Sequence, residues 1–300
     1  MAKAGFALAR SRRPDDDALG EPSSQVIAMP WDDFAPWFAE RWGQGEHIAV
    51  VGPTGSGKTT LQMRLGELRN WAAVLDGKGG DRTLDAAGWQ RVTRWPLPLH
   101  LKSDIKEGEP AHLIIGHNVK TFSDRPKHRT LLRKALRGLW AQRNWSVLVD
   151  EVQLLTDVRF LGLANDVVEL LIAARDRGLS VVAALQRISI GNTTGGASGT
   201  LGDQSTWLAF SYSRDDRAVQ RLAELAGRPA SEVRTVVTSL PEHAWCIVGR
   251  DPRAPYVITK PRPIGNTQGQ AEQAPQPRLR ERTEDQQAKP TRLRDRLKWA

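Results

Sequence analysis

The stretch Gly52-Pro53-Thr54-Gly55-Ser56-Gly57-Lys58-Thr59 fits the spacing G-x-x-x-x-G-K-[ST] of a phosphate-binding P-loop. Its glycines allow a tight, partly left-handed loop whose backbone N–H groups converge on an anion. Lys58 supplies a point charge for the β- and γ-phosphates, and the Thr59 hydroxyl suits Mg²⁺. The flanks meet the requirements of the motif. His47-Ile48-Ala49-Val50-Val51 is an apolar run fit for a buried parallel strand. Beyond the loop, Leu61, Leu65 and Leu68 repeat at helical spacing, so a helix begins near Thr60 and adds its N-terminal dipole to the anion site. The chain must therefore contain a strand–loop–helix unit that cradles a nucleotide.

Composition sets the bounds around that unit. A chain of 300 residues, 40% hydrophobic, suits one large α/β domain with tails: an arm over 1–25, a domain over 26–261 and a tail over 262–300. The single cysteine, Cys246, excludes an internal disulfide. No apolar run approaches the length of a membrane span, and the short apolar patch before Arg10 makes a poor signal peptide, so a cytoplasmic protein is expected. The net charge of +9 favours a polyanionic partner, nucleic acid before acidic lipid, with a solvated basic surface as the alternative. Most of the eleven tryptophans read as core or subunit-contact residues.

Along the chain, residues 1–25 and 262–300 lack periodicity and read as disordered, the latter basic and carrying a short helix over 291–299. Phe34, Trp37, Phe38 and Trp42 share one face of a helix over 31–42. A strand over 71–75 ends in Asp76-Gly77-Lys78-Gly79-Gly80-Asp81. An acid and a lysine there lie where open α/β sheets bind ligands, although an ordinary glycine-rich turn reads the same. The pattern over 88–109 is weak, with Pro96 and Pro98, and a strand follows over 111–115. A helix over 129–143 buries Leu132, Leu136, Leu139 and Trp140 and exposes Arg133, Lys134 and Arg137. Lys120, Arg125, Lys127 and Arg129 lie just before or at its start. This basic face either tracks a phosphate backbone or is a solvated helix surface.

Ser146-Val147-Leu148-Val149-Asp150-Glu151 is a buried strand emptying into two carboxylates. Set about ninety residues after the P-loop, Asp150 is placed to position Mg²⁺ and Glu151 to orient or deprotonate the attacking water. The spacing predicts a helix over 166–177, capped by Asp166, with Val168, Leu171, Ile172 and Ala174 buried and Gly178 as its stop. A strand over 180–185 carries Gln186 to its tip, within reach of a γ-phosphate or water if it is more than a solvated loop residue. Residues 191–202, rich in Gly, Ser and Thr, read as a mobile loop. Further strands are expected over 206–212, 244–248 and 255–259, and a helix over 215–226 closed by Gly227.

At this point the sequence resembles the FtsK–HerA superfamily of motor ATPases. The P-loop at 52–59 is generic. Val74-Leu75-Asp76-Gly77-Lys78-Gly79 looks like the superfamily's D-P-K-G element, Val147 to Glu151 like its Walker B, and the run from Ala173 to Arg187 like the helix, glycine and strand leading to A-T-Q-R-P. The strand at 206–210 followed by 213–217 is similar to the one where subunits meet. The likeness spans roughly 46–260, with Gly77, Leu185 and Ile188 departing from the usual proline, threonine and proline. Neither the membrane region nor the winged-helix reader of cell-division members is seen, which suits a soluble phage or mobile-element type.

The resemblance implies an α/β fold, a RecA-like P-loop NTPase of the additional-strand type with a central, mostly parallel sheet flanked by helices. It implies a ring, usually a hexamer, with an arginine finger from the neighbouring subunit; Arg175 and Arg177 are the first candidates, then Arg214 and Arg217. The function it implies is an ATP-driven motor moving double-stranded DNA, in viral genome packaging or mobile-element transfer. ATP would sit on Gly52 to Thr60, with Mg²⁺ on Thr59 and Asp150. Glu151 would activate water, and Gln186 would pass loss of the γ-phosphate to the 191–202 loop. That loop or the basic 120–137 face would grip DNA, and the tails would meet a portal, nuclease or transfer-machinery partner. An assembly or secretion ATPase acting on protein is the alternative, and a kinase-like or regulatory nucleotide binder the third reading.

Overall fold

A computed structural model of the protein describes residues 25–186 and 197–265. The expected N-terminal arm up to residue 24, residues 187–196 and the tail from 266 lie outside the described residues. In chain order the first half runs β1 (Val26–Ala28), α1 (Trp31–Arg41), β2 (His47–Val51), α2 (Lys58–Gly66), β3 (Trp71–Leu75), α3 (Arg82–Asp85), β4 (Gln90–Val92), α4 (Leu99–Lys106), β5 (Ala111–Ile115) and α5 (Arg125–Ala141). The second half runs β6 (Ser146–Val149), α6 (Val152–Thr156), α7 (Ala164–Ala173), β7 (Ser180–Leu185), α8 (Ala197–Gln204), β8 (Ser205–Phe210), α9 (Asp216–Ala226), α10 (Ala230–Ser239), β9 (Trp245–Gly249) and β10 (Tyr256–Thr259).

The described strands form one sheet in the order β1-β10-β9-β8-β2-β7-β6-β3-β5-β4. Every pairing is parallel except those of β9, which runs against both β8 and β10. The central strands β2, β6 and β7 are buried along their whole length and almost wholly apolar, as a parallel sheet covered by helices on both faces requires. Alternation sorts their side chains into two cores. Ile48, Val50, Ala72, Val74, Leu148 and Val182 pack against Phe34, Phe38 and Trp42 and against Leu61, Met63 and Leu65 of α2. Ala49, Ala73, Leu75, Val147, Val149 and Val181 pack against α5, α7, α9 and α10.

Between the P-loop strand β2 and the carboxylate strand β6 stands β7. That interposed strand defines the additional-strand arrangement. Register brings the tips to within two residues of one another: Val51 lies opposite Leu185, Ala183 opposite Val149, and Val149 opposite Leu75. Gly52, Gln186, Asp150 and Asp76 therefore leave the sheet at one edge.

Several elements differ from the sequence reading. The helix expected over 166–177 spans Ala164–Ala173, followed by a 3-10 turn at Arg175–Arg177. Asp166 does not cap it but bonds Arg133 and Arg137 of α5, at 3.2 Å each. The buried stripe is Val167, Leu170, Leu171 and Ala174, while Ile172 is exposed. Gly178 does stop the segment, at φ 67°. The part of the expected 191–202 loop that is described, from Ala197, is helical as α8 and buries Ala197 and Leu201. Helix α5 begins four residues earlier than periodicity suggested, because Pro126 fits its first turn. Helices α4 and α10 are absent from the sequence reading; a proline precedes each, and α10 buries Val233, Val236 and Val237 at helical spacing.

Candidate active site

The P-loop adopts the backbone its spelling demands. Gly55 and Gly57 take φ of 82° and 89°, in the left-handed region where a side chain is strained. At Gly52 a Cβ would lie 2.4 Å from Ser211 Oγ and 2.6 Å from Ser56 Oγ, so only glycine fits. Lys58 and Thr59 open α2, and Thr60 follows in its first turn. The Lys58 ammonium folds back over the loop, donating to the carbonyls of Gly52 (2.8 Å) and Pro53 (2.9 Å). Burial lowers its pKa, while Glu151 and Asp150 pull the other way.

Across the crevice, Thr59 Oγ1 donates to Asp150 Oδ1 at 2.6 Å. Gln186 Nε2 donates to Glu151 Oε1 at 2.7 Å. Thus the tips of β6 and β7 and the start of α2 bring together four residues expected from sequence. The Lys78 ammonium lies 2.9 Å from Asp150 Oδ2 and 3.1 Å from Asp81 Oδ2. Burial works against its charge, but the two carboxylates outweigh it and raise its pKa. The buried Asp150 Oδ2 thus faces the Lys78 ammonium rather than a hydroxyl or backbone N–H. The Thr59 hydroxyl and the Asp150 carboxylate, beside a loop built for phosphates, form a donor set of the hard-oxygen kind that suits Mg²⁺.

Asp76 takes no part in that crevice. Its carboxylate is fully buried, accepts from the N–H groups of Gly79 and Gly80 at 2.8 Å each, and pairs with Arg91 at 2.9 Å. It fixes the turn that aims Lys78. His128 adds a second tie, with Nε2 2.8 Å from the Asp76 carbonyl and Nδ1 accepting from His117 N–H.

The first two arginine-finger candidates stand apart from their own chain's P-loop. Arg175 and Arg177 precede β7, at the amino end of the sheet, with the backbone of Arg175 beside Gly45 ahead of β2. A six-residue strand separates them from Gln186, about 20 Å. Arg177 stacks on Trp140, its guanidinium carbon 3.6 Å from the ring centre. Arg175 is exposed and reaches Thr206 Oγ1 at 3.4 Å. Arg214 and Arg217 follow the carboxyl tip of β8, and Arg214 Nε donates to Tyr212 Oη.

Sequence reading missed the far wall of the P-loop. A cleft of about 380 Å³ is lined by residues 53–56, Ser211, Tyr212 and residues 240–243. His243 holds φ 60° there, and a Cβ on Gly57 would meet its Nδ1 at 3.7 Å. No local pattern links position 243 with position 57; the antiparallel return of β9 brings it there.

The strand order and the tip residues together decide the fold class. This is a RecA-like, additional-strand P-loop fold. No protein-family model matches the chain. A 91-residue stretch is 30% identical to the β-(1→2)glucan export ATP-binding/permease protein NdvA of Rhizobium johnstonii, covering 30% of this chain and 14% of that protein. Among solved structures, the chain is similar to the genome packaging NTPase B204 of Sulfolobus turreted icosahedral virus 2 in complex with ATP-gammaS. That likeness has a TM-score of 0.46 at 16% identity over 74% of this chain and all of the other. It is also similar to the bacterial conjugative coupling protein TrwB, with a TM-score of 0.48 at 14% identity over 88% of this chain and 98% of the other. Among the described residues, no helix is long and apolar enough to cross a membrane.

Proposed function

We propose that the chain is a Mg²⁺-dependent ATPase that moves DNA, in viral genome packaging or mobile-element transfer, as its resemblance to the FtsK–HerA superfamily implies. The observation that carries the ATPase reading is the convergence at one sheet edge of Thr59 on Asp150 and Gln186 on Glu151. In the working state Lys58 releases the carbonyls of Gly52 and Pro53 and turns to the β- and γ-phosphates. The N–H groups of the loop and of the α2 N-terminus share that charge. Thr59 and Asp150 would hold Mg²⁺, which would supply positive charge against the phosphate oxygens. Glu151 accepts a proton from the water whose oxygen attacks the γ-phosphorus, and ADP leaves. Gln186, bonded to Glu151, holds that carboxylate in line and reports loss of phosphate along β7.

Assembly into a ring, taken as a hexamer, brings a neighbour's arginine to the γ-phosphate. Arg175 suits this best: it is exposed and lies on an edge remote from its own P-loop, whereas Arg177 is held on Trp140. DNA as the load is supported by the net charge of +9 and by cations without acidic partners at the same sheet edge, described below.

The test is ATP hydrolysis by the full chain with and without long duplex DNA, beside Lys58→Ala and Glu151→Gln. DNA stimulation that is lost in both variants and weakened by salt is expected. Hydrolysis indifferent to DNA would replace this reading with a motor acting on protein.

A further inference from the structure

The basic face noted in the sequence divides once its partners are known. Within it, Arg133 and Arg137 share the single carboxylate of Asp166; elsewhere Arg159 pairs with Asp157, and Arg91 with Asp76 and Asp85. Among the described residues, Lys120, Arg125 and Lys127 form no salt bridge; Lys120 lies on the connection between β5 and α5, and Arg125 and Lys127 lie in the first turn of α5. The one carboxylate among them, Asp124, accepts from the N–H groups of Lys120 and Thr121 at 3.1 and 3.0 Å.

Two phenylalanines break the surface at the same place. Phe122 is 79% exposed and Phe160 40% exposed, beside Val158 at 81%. The Arg125 guanidinium lies over both rings, 4.4 and 5.2 Å from their centres. Between them opens a cleft of about 370 Å³, lined among others by Lys78, Lys120, Phe122, Arg125, Phe160 and Leu161. Its floor is tied to the β3 tip through His128 and through Val119 N–H, which donates to Gly79 O at 3.0 Å.

Exposed rings interleaved with unpaired cations ask for a ligand that is anionic and presents flat apolar faces. Paired bases hide those faces in the stack; unpaired bases offer them. We propose that this cleft binds single-stranded DNA, with bases stacked on Phe122 and Phe160 and phosphates held by Lys120, Arg125 and Lys127. The inference rests on DNA being the load and adds that a locally unpaired strand is what the chain grips. Lys78 lines the cleft with its stem and pairs with Asp150 through its ammonium, so strand binding and the nucleotide site share one residue.

The test is fluorescence anisotropy of the full chain with a labelled 30-mer oligothymidine and with a 30-base-pair duplex. Phe122→Ala and Phe160→Ala should each weaken single-strand binding about tenfold or more and change duplex binding little. Lys120→Gln and Lys127→Gln should each flatten the plot of log affinity against log salt by about 0.7. Basal ATP hydrolysis of Phe122→Ala should equal that of the wild type, which also reports intact folding. DNA-stimulated hydrolysis with unchanged single-strand affinity in the phenylalanine variants overturns the cleft and leaves the DNA motor standing. Equal competition by polyglutamate, with the phenylalanine variants indifferent, overturns it in favour of an acidic protein segment. No DNA binding and no DNA stimulation overturns the motor reading together with the cleft.

Discussion

Lys78 is the cation that accompanies Asp150, and replacing it tests the charge balance of the site directly. Lys78→Met keeps the stem and deletes the ammonium, 2.9 Å from an Asp150 side chain that is 1% exposed. Removing one partner of a fully buried pair costs about 3–5 kcal/mol. Lys78 is itself 41% exposed, so solvent screens the pair and about 1–2 kcal/mol remains. For a chain of this size that lowers the melting temperature by about 2–6 °C. The assay is thermal unfolding in EDTA and in millimolar Mg²⁺. In EDTA the variant should melt lower. Mg²⁺ should raise it more than it raises the wild type, in which the metal must first displace the ammonium from Oδ2. Lys78→Arg, which keeps the charge, should stay near the wild type. A variant as stable as wild type in EDTA, or an equal response of both to Mg²⁺, refutes the idea that Lys78 occupies the metal side of Asp150.

Glu151→Gln should cut turnover about 10²–10⁴-fold while fluorescent ATP analogues still bind, since only the proton acceptor is lost; near-normal turnover would remove Glu151 from its role. His47 is buried, with Nδ1 accepting from Val181 N–H and Nε2 3.2 Å from the Leu171 carbonyl, which requires the neutral ring. Burial lowers its pKa from 6.5 to about 4, so the stability it lends is complete above pH 6.5 and drains away down to pH 4, by about 3 kcal/mol. Urea titrations across that window should show a shallower pH slope for His47→Gln, with buried His128 contributing in the same sense; an unchanged slope would show that His47 is not the group responsible. Gly66→Ala should destabilise despite better helix propensity. Its Cβ would lie 2.5 Å from Trp89 Cη2 and 3.0 Å from Leu148 Cδ2, an overpacking of about 1–3 kcal/mol against a gain of about 1. A more stable variant in urea would show that Trp89 yields freely.

The sequence by itself determined the parts of this protein whose physics is local. The P-loop spelling requires left-handed backbone at Gly55 and Gly57, and that is where they stand. The apolar runs ahead of Gly52, Asp76, Asp150 and Gln186 could only be buried strands, and in a parallel sheet all such strands empty at one edge. Helix ends were legible where a single residue sets them, as Asp215 and Gly227 do for α9. What the sequence left open was everything decided by partners distant in the chain. Asp166 reads as a cap until α5 brings Arg133 and Arg137 to it, 33 and 29 residues away. Lys78 reads equally as a ligand-site lysine or a solvated turn residue until β6, paired beside β3, sets Asp150 against it. The basic face reads as uniform until Asp166, on another element, takes up Arg133 and Arg137, while Lys120, Arg125 and Lys127 stand beside two exposed rings. Charge and burial are sums over neighbours in space, and only the tertiary structure supplies those neighbours.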